Sequence, residues 1–481
     1  MEYISGTPRE QLILLPEAVD DYILTDNPVR FIDAFVDSLD LKDLGFNKTE
    51  LASTGRSPYH PSTLLKLYIY GYLERIRASR RLEKETLRNL ELRWLLQNLQ
   101  PDHKTISDFR KDNKKALRNV TRQFVILCKS MDLFDGNLVG IDGSKFRAVN
   151  SKDRNYSKKK LKAQIKQIDE DIESYLKELE TNDNNEQHKI SGYTKDLNKK
   201  IESLSDRLQR YQAVLDDLEQ NNVDENSLTD PDSRLMKTRQ GTHVCYNVQI
   251  AVDNKHKLII ENDVTSDSND RYNLSPIAMR AKDILDCNSL IICADADYGT
   301  GSELKNCEDN KIIPYVSLRA PHEQRSHGVP TPEYYRSKFK YVKERDVYIC
   351  PQDNALANIH NTKQNGHKIS IYQNSQACNS CAVRNKCTIS KIQGRRIVRS
   401  EYEEYFEKLK ERLQMHPKIA KERKTLCEHP FGTIKHWWNM HSFLTRGIES
   451  VKTEFSLTTL AYNMKRVINI IGVKKMIEAL A

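Results

Sequence analysis

Residues 138–146, LVGIDGSKF, combine a short apolar run with an aspartate, Asp142, and this run predicts a buried β-strand. A second run, SLIICAD at residues 289–295, is almost continuously apolar and ends at another acidic residue, Asp295. Such apolar runs are typical of strands that are covered on both faces. The two stretches therefore predict central strands, each with a carboxylate at its end.

The segments around these two strands predict the rest of the sheet. An alternating segment and a second apolar one, joined by a turn at residues 254–256, predict a hairpin, and two helices separate the later strands. The segments in chain order are strand 138–146, hairpin 242–253 and 257–267, helix 272–285, strand 289–295, helix 301–307 and strand 311–318. This order predicts a ribonuclease-H-like α/β domain, a five-stranded mixed sheet with helices on both faces.

A third carboxylate, Glu428, lies in CEHPFGTIKHWW (427–438) on a predicted helix. When a phosphodiester is broken by in-line attack, two Mg²⁺ ions about 4 Å apart activate the attacking oxygen and stabilise the leaving oxygen. Mg²⁺ prefers carboxylate oxygen, so about three acids and the substrate phosphate suffice as ligands. Asp142, Asp295 and Glu428 together therefore indicate nucleic-acid cleavage and joining. Each acid taken alone also fits an ordinary strand end or a solvated helix position.

Two aspartates compete for the second position of this triad. Asp295 is the first polar residue after the apolar run, at the carboxyl end of a central strand, where ligands gather in open α/β sheets. Asp297 lies two residues on, in a turn where an aspartate commonly caps the next helix or bonds its own backbone. The sequence favours Asp295.

The charge of the chain agrees with a polyanionic partner. Its 481 residues, enough for about three domains, include 76 Lys and Arg against 67 Asp and Glu, a formal charge of +9. A net positive balance favours nucleic acid. Because the excess is modest, local clusters at 75–81, 157–166 and 391–399 are more informative. Such runs are also common on solvated faces.

Membrane and disulfide classes are disfavoured by the same composition. No apolar run approaches the roughly 18 residues that a membrane span needs, and the first residues, MEYISGTPREQ, contain acids where a signal peptide would be basic. We expect a soluble cytoplasmic protein without a membrane partner. Ten cysteines without a secretory signal then predict reduced thiols or metal ligands and not a disulfide framework.

Residues 1–130 predict a helical region. Pro61 suits the first turn of a helix through 61–76, 80–99 predicts a second amphipathic helix, and 104–113 predicts a third, capped by Thr105 or Ser107. Two short helices joined by a tight turn, the second rich in Ser, Asp, Arg and Lys, are compatible with a helix-turn-helix that reads DNA. The alternative is a helical domain that only packs.

Residues 156–226 are almost free of Gly and Pro and predict an antiparallel helical hairpin of coiled-coil type. Apolar residues recur at spacings of three and four on both limbs, and polar ETNDNNEQH (180–188) separates the limbs. The hairpin suits either a packed strut or a role in dimerisation or DNA contact.

Residues 341–399 carry four cysteines that predict a structural zinc site. Three come from CNSCAVRNKC, and the fourth follows a β-rich flank. Four thiolates around a tetrahedral Zn²⁺ would fold a segment that has few apolar residues, and no ligand position would remain open for catalysis. Free thiols are the alternative. The predicted ligands are Cys350, Cys378, Cys381 and Cys387.

These motifs in this order resemble the DDE transposases of bacterial insertion sequences, in the branch with a cysteine-rich insert. The resemblance rests on GIDGSKFRA, TDPDSRLMKTRQGTHVCYNVQIAVD, ADADYG, the cysteine pairs, EHPFGTIKHWW and the N-terminal GRSPYHPSTLLKLYIYGYLERIRASRRLE. It covers nearly the whole chain. The resulting organisation is a DNA-binding helical domain (1–130), a catalytic domain (137–155, 227–340 and 400–481), the hairpin insertion (156–226) and the zinc insertion (341–399).

The resemblance implies that Asp142, Asp295 and Glu428 bind two Mg²⁺ or Mn²⁺ ions in a ribonuclease-H-like fold. Related transposases carry Tyr, Arg, Glu and Lys on the helix of the third acid, separated by two, three and six residues. Glu428 and Lys435 keep the last spacing, which puts both on one helix face. Upstream the chain departs from this signature, because Lys421 and Lys424 occupy the Tyr and Arg positions and Arg423 is one residue off.

The resemblance further implies binding of the terminal inverted repeats, cleavage of the ends and joining of 3′-hydroxyls to target DNA by a dimer or higher oligomer, associated with the nucleoid. A nuclease that cuts without joining and an inactive DNA-binding repressor are the alternatives. Trp437 and Trp438 could stack a flipped base, and core packing is the alternative for adjacent aromatics on a helix. The residues expected to contact double-stranded DNA are Arg75, Arg77, Arg80, Arg81, Lys104, Arg110, Lys145, Arg234, Lys424, Lys435 and Trp437.

Overall fold

The computed structural model describes residues 18–50, 57–150, 155–183, 191–220, 225–227, 229–318, 331–364 and 366–480. Most of the predicted polar turn between the limbs of the helical hairpin lies outside these residues, as does the amino-terminal stretch MEYISGTPREQ. The described residues form a mixed α/β protein, as the sequence predicts at the level of fold class.

The helices within the described ranges are α1 Pro28–Asp37, α2 Pro61–Leu73, α3 Ser79–Arg88, α4 Leu90–Leu95, α5 His103–Asp112, α6 Lys114–Ser130, α7 Lys158–Asp183, α8 Ser191–Gln220, α9 Leu274–Leu285, α10 Gly301–Asp309, α11 Ser375–Asn379, α12 Arg384–Cys387, α13 Glu403–Met415, α14 Ile419–Gly432, α15 Ile448–Ile471 and α16 Val473–Glu478. The strands are β1 Leu138–Arg147, β2 Asn155–Ser157, β3 Glu225–Ser227, β4 Arg234–Thr238, β5 Gly241–Asp253, β6 Ile259–Thr265, β7 Leu290–Ala294, β8 Ile312–Val316, β9 Lys340–Val342, β10 Val347–Ile349, β11 Ala355–Gln364, β12 His367–Gln373 and β13 Arg396–Ser400.

Two predictions for the N-terminal helices are wrong. The single helix predicted over 80–99 is broken at Asn89, whose backbone is extended and whose side chain instead caps α4 by accepting a hydrogen bond from Leu92 N. The cap of α5 is neither Thr105 nor Ser107. Asp102 provides it, because its carboxylate accepts hydrogen bonds from the backbone N–H groups of Lys104 and Thr105, both at 2.9 Å.

The central sheet has six strands and not the predicted five. Its order is β4-β5-β1-β7-β8, with β6 also paired to β5. The additional strand follows from the length of β5, whose 13 residues exceed what one neighbour covers. Residues 247–252 of β5 pair with β6, whereas residues 241–245 pair with β4. β5 is antiparallel to β1, and both β1–β7 and β7–β8 are parallel.

Helices cover both faces of this sheet because its strands alternate between two cores. Ile141 and Ala251 are partners across β1 and β5 and belong to the core that includes α9 and α10. Phe146 and Ile250 point to the other face, into the core that contains Phe431 of α14 and part of α15. The middle of β1 is therefore enclosed between helices, and a carboxylate placed there is largely removed from water.

Two smaller units lie outside the central sheet in the chain. α7 and α8 pair with each other, and at their base β2 pairs with β3, a short two-stranded sheet that the sequence did not predict. The cysteine-containing segment forms a five-stranded antiparallel sheet in the order β13-β12-β11-β10-β9. A small cluster of buried side chains supports this sheet: Phe339, Tyr348, Leu356, Tyr372 and Ile397.

Candidate active site

Asp142 lies in the middle of β1, on the face that α14 covers, and not at the strand end that the sequence predicts, because β1 continues to Arg147. Its Oδ1 accepts a hydrogen bond from the backbone N–H of Gly143 at 2.9 Å, and its side chain is 19% exposed. Burial raises the pKa of Asp142 to about 6, although Arg423 acts in the opposite direction. The carboxylate is thus held in a place where its negative charge is only partly compensated.

Asp295 follows the last residue of β7, Ala294, as the sequence predicts. Its Oδ1 accepts a hydrogen bond from the N–H of Ala296 at 2.7 Å and caps the short 3₁₀ turn Ala296–Tyr298. The sequence suggested that Asp297 caps the next helix. This is wrong, because the side chain of Thr300 caps α10. The side chain of Asp295 is 51% exposed, and its second oxygen, Oδ2, faces Arg423.

Arg423 of α14 brings the two aspartates together. Its Nη1 lies 2.8 Å from Asp142 Oδ2, and its Nη2 lies 3.9 Å from Asp295 Oδ2. Burial acts to lower the pKa of Arg423, but the two carboxylates outweigh burial and hold the pKa above its ordinary value. Acids from β1 and β7 therefore converge on one cation from a helix that is distant in sequence.

Sequence reasoning gave Arg423 no role because it lies one residue from the Arg position of the signature. Its place follows from the helical period. Arg423 lies four residues before Cys427, and Cys427 packs against Gly140 of β1, so both residues face the sheet. Lys424, which does occupy the signature position, is exposed. Counting from the buried face of α14 would have identified Arg423.

Glu428 lies on α14 directly after the buried Cys427, and its side chain is exposed. It forms no hydrogen bond or ion pair with any described residue. Across the described ranges, no three His, Cys, Asp or Glu side chains are arranged as ligands of one metal ion. The structure brings Asp142 and Asp295 together, whereas membership of Glu428 in the same site stays a prediction.

Lys435 lies in a π-helical turn, Thr433–Trp437, that continues α14. Its Nζ donates hydrogen bonds to Ser144 Oγ at 2.6 Å and to the Lys145 carbonyl at 2.7 Å, and it lies 4.3 Å from the centre of the Phe146 ring. Burial lowers the pKa of Lys435 to about 8. Ser144 lies two residues beyond Asp142 on the same face of β1, so this ammonium group lies beside the acids.

Behind the acids, the other face of the sheet carries a polar network that sequence reasoning missed. Asp270 Oδ1 accepts hydrogen bonds from Asn247 Nδ2 at 2.6 Å and Gln249 Nε2 at 2.7 Å. Lys145 Nζ lies 3.4 Å from the same oxygen. A Cβ at Gly143 would lie only 2.5 Å from Gln249 Nε2, so the network requires glycine beside Asp142.

The residues predicted to contact DNA differ in exposure. Arg77 is held inside the protein, where its Nη1 lies 3.0 Å from the buried Glu454 carboxylate and 3.0 Å from the Ser442 carbonyl oxygen. Arg110 is also enclosed, with its guanidinium 5.7 Å from the centre of the Tyr68 ring. Both have intramolecular partners, and contact of either with DNA stays a prediction.

The other predicted DNA contacts fall into two groups. Lys145, Lys435, Arg75 and Arg234 each have hydrogen-bond partners within the chain, with Arg75 Nη1 donating to the Trp437 carbonyl at 3.4 Å and Arg234 Nη1 to the Ser233 carbonyl at 2.9 Å. Trp437 is 78% exposed, whereas Trp438 packs against Tyr462. The side chains that are simply exposed are those of Arg80, Arg81, Lys104 and Lys424.

The four predicted zinc ligands line one small cavity of about 30 Å³ in the five-stranded unit. Their mutual proximity contributes to the raised pKa of Cys387, although burial is the larger cause and brings the pKa to about 11. Gly394, with φ +69°, packs against Cys378. A Cβ atom added at Gly394 would lie only 2.6 Å from the Cβ atom of Cys378. The four residues meet from three separate segments: Cys350, Cys378 with Cys381, and Cys387.

The fold and the site define a class: an α/β protein in which acids from two adjacent parallel strands meet a cation from a helix. Two protein-family models match parts of the chain. Residues 17–112 match the model described as Transposase domain (DUF772), and residues 349–468 match the model described as Transposase DDE domain. Both matches support a DDE transposase of an insertion sequence.

The two matches are distributed unevenly over the site. The second match includes Arg423, Glu428 and Lys435, whereas Asp142 and Asp295 lie between the two matched segments. A DDE domain implies a ribonuclease-H-like fold and the use of divalent metal ions. Comparison with curated proteins and with solved structures gives no match.

Among the helices that the structure describes, none combines the length and the apolar composition of a membrane span.

Proposed function

We propose that this transposase binds the terminal inverted repeats of its element, cleaves the ends and joins the freed 3′-hydroxyls to target DNA. The observation that carries the proposal is the convergence of Asp142 and Asp295 on the guanidinium group of Arg423. Two carboxylates around one cation, one in the middle of β1 and one at the carboxyl end of the parallel strand β7, suit a site for positively charged ligands. The match to the DDE domain supports the same reading.

Asp142, Asp295 and Glu428 are the residues that would hold two Mg²⁺ or Mn²⁺ ions. Asp142 and Asp295 fit this role because both already face the guanidinium group of Arg423. In addition, Arg423 does not fully offset the effect of burial on the pKa of Asp142, so a further cation would stabilise the charged carboxylate. When bound, the ions supply activation of the attacking oxygen and stabilisation of the leaving oxygen. Glu428 would have to turn from solvent toward the cleft, which its position next to Cys427 allows.

The remaining chemistry belongs to side chains of this protein. Lys435 places an ammonium group next to β1, where it would bind a phosphate oxygen of the scissile strand. Water attacking the phosphodiester releases the end, and the freed 3′-hydroxyl attacking a second phosphodiester joins that end to the target. Arg423 would keep the two aspartates oriented toward each other, because its guanidinium group contacts both.

Other parts of the chain would position the DNA. The N-terminal helices expose Arg80, Arg81 and Lys104, which suit contact with phosphate groups. The four cysteines line one cavity but are not arranged as ligands of one ion, so they would have to close around a structural Zn²⁺, whose thiolate ligands would then fix the five-stranded unit. Because two element ends must meet, the active form would be at least a dimer, and the helical hairpin of α7 and α8 is the candidate for assembly.

A strand-transfer assay tests the proposal. Labelled end DNA, a target plasmid and Mg²⁺ are incubated with the protein, and the products are separated by size. Joined products support the proposed function. Cleaved ends without joining would leave a metal-dependent nuclease, and binding without cleavage would leave a DNA-binding repressor. The intact acids at 142, 295 and 428 favour the first outcome over the last.

A further inference from the structure

A second group of cationic and imidazole side chains surrounds the carboxyl end of β1, beyond the acids. Arg147 ends this strand, and its Nη2 donates to Gln240 Oε1 at 2.8 Å. Its backbone N–H donates to the His441 carbonyl at 2.9 Å, and the rings of His436 and His441 lie 6.0 Å apart. We call this group the β1-end patch: Arg147, Arg239, His243, His436 and His441.

The charge of the β1-end patch is not balanced by carboxylates of the described residues. In the part of the chain that the structure describes, none of its five side chains takes part in an ion pair. By contrast, Arg77, Arg118 and Arg280 are each paired with an acid. Close cations without a counter-charge repel one another, and this repulsion is relieved when a polyanion binds.

The electrostatic effects within the patch agree with this geometry. Burial lowers the pKa of His441, and Lys435, His436 and Arg147 act in the same direction. Arg239 and Lys145 likewise add to the effect of burial on the pKa of Lys435. The positive charges therefore act on one another from β1, from the β4–β5 turn and from the segment after α14.

The patch adjoins the proposed active site through Lys435. Asp142 and Arg147 are on the same strand, five residues apart, which corresponds to roughly 17 Å at about 3.3 Å per residue. Lys435 lies between them, hydrogen-bonded to Ser144. Since phosphates of one strand of a duplex rise by about 3.4 Å each, this distance corresponds to about five phosphates. The side chains of Asp142 and Arg147 leave opposite faces of β1, because the two residues are an odd number of positions apart. A DNA strand in the active site would therefore reach the patch around the end of β1, past Lys435.

We propose that the β1-end patch binds the phosphate backbone of double-stranded DNA adjacent to the bond that is cleaved. The inference rests on the proposed function, because it assumes that DNA occupies the cleft beside Asp142. Arg147 and Arg239 supply permanent charge, and the imidazole groups supply N–H donors to phosphate oxygen. An acidic protein surface would also match the charge, but it would have no reason to lie beside Lys435 and the proposed active site.

The test is the salt dependence of duplex binding by the full-length chain, measured by fluorescence anisotropy without divalent metal. The slope of log Kobs against log salt is negative, and each lost phosphate contact reduces its magnitude by about 0.9. We expect Arg239→Ala to reduce the magnitude of this slope by about one. The double variant Arg147→Ala/Arg239→Ala should reduce it by about two. Lys305→Ala is the matched control, because it removes an exposed lysine of α10 that forms no ion pair.

The double variant loses the hydrogen bond from Arg147 to Gln240, and this loss could impair folding. The single variant Arg239→Ala keeps that bond, and Arg239 lies exposed in the turn between β4 and β5, so the single variant tests the patch independently. Slopes equal to that of Lys305→Ala in both patch variants would overturn the inference. It would also be overturned if these variants lost self-association with an unchanged slope, since another copy of the chain would then cover the patch. Wild-type protein that does not bind duplex DNA would overturn the proposed function and this inference together.

Discussion

The guanidinium group of Arg423 lies 2.8 Å from the carboxylate of Asp142, although 281 positions separate the two residues in the chain. This ion pair joins α14 to the middle of β1, and the second amino group of Arg423 extends the contact to Asp295 at 3.9 Å. Arg423 thereby connects α14 to the strands β1 and β7, which carry the predicted acids Asp142 and Asp295. Substitutions of Arg423, Asp142 or Asp295 should therefore reduce catalysis more than they reduce DNA binding.

If the three acids act as one metal site, Asp142→Ala, Asp295→Ala and Glu428→Ala should each abolish cleavage of end DNA in Mg²⁺. DNA binding should be largely retained, because it depends mostly on basic residues. Gel assays of cleavage and of binding measure the two separately. Asp297→Asn is the matched control for Asp295→Asn, since Asp297 lies two residues on in the 3₁₀ turn. An inactive, metal-deficient Asp297→Asn beside an active Asp295→Asn would reverse the assignment.

Arg423 and Lys424 compete for the role of the signature arginine, and the structure favours Arg423. Arg423→Ala should slow cleavage by at least about tenfold, the effect of roughly 1.4 kcal/mol, because Asp142 loses its only ion-pair partner among the described residues. Lys424→Ala should change cleavage little, since Lys424 is exposed. Single-turnover rates at saturating DNA separate this effect from binding. Lys424→Ala with the larger loss of rate would return the role to the residue at the signature spacing.

The four cysteines should bind one Zn²⁺ per chain, because they line a single cavity. Cys378→Ser and Cys381→Ser should each lose the metal and lower the thermal stability of the protein. Native mass spectrometry and thermal unfolding measure these two effects. Cys287→Ser is the control, because this half-buried cysteine lies outside the cavity. Fully folded wild-type protein without metal would show that the cysteines are free thiols.

The central fold could be predicted because its signals are local. Short apolar runs identify β1 and β7, and alternation identifies the hairpin of β5 and β6. β4 was missed because it exists only where β5 continues beyond its partner, and a strand that pairs along five residues has almost no pattern of its own. The caps were misassigned for a related reason: Thr105 and Asp102 carry the same signal, and only backbone geometry distinguishes them.

The candidate site could be predicted only in part. Asp142 and Asp295 follow from the apolar runs that precede them, although only Asp295 lies at a strand end. Arg423 depends on the rotation of α14 against the sheet, which motif spacing does not give. Asp270 is a single aspartate in a loop, and its importance arises from contacts with Asn247 and Gln249 on another strand. Residues whose roles are created by tertiary contact leave no local signal.

The helical hairpin can be removed at a position that the structure defines. β2 and β3 pair at its base, with Ser157 opposite Glu225, so a short Gly/Ser linker can replace residues 158–224 and leave this pair intact. If the hairpin serves assembly, the variant should stay folded and cut end DNA but fail to bring two ends together. Analytical ultracentrifugation with end DNA measures this. Transposition at the wild-type level would show that the hairpin is dispensable.

Lys435 should make DNA binding depend on pH in a range where most cations do not titrate. Burial lowers its pKa to about 8, so the ammonium group loses its charge as the pH rises through that value. Its contribution to phosphate binding is therefore present at about pH 7 and lost at about pH 9, whereas an ordinary lysine titrates near 10.4. Anisotropy titrations with duplex DNA should show weaker binding and a shallower salt slope at the higher pH. Lys435→Arg is the matched control, because arginine stays charged throughout this range. A pH dependence that persists unchanged in Lys435→Arg would assign the effect to another group and remove Lys435 from the phosphate site.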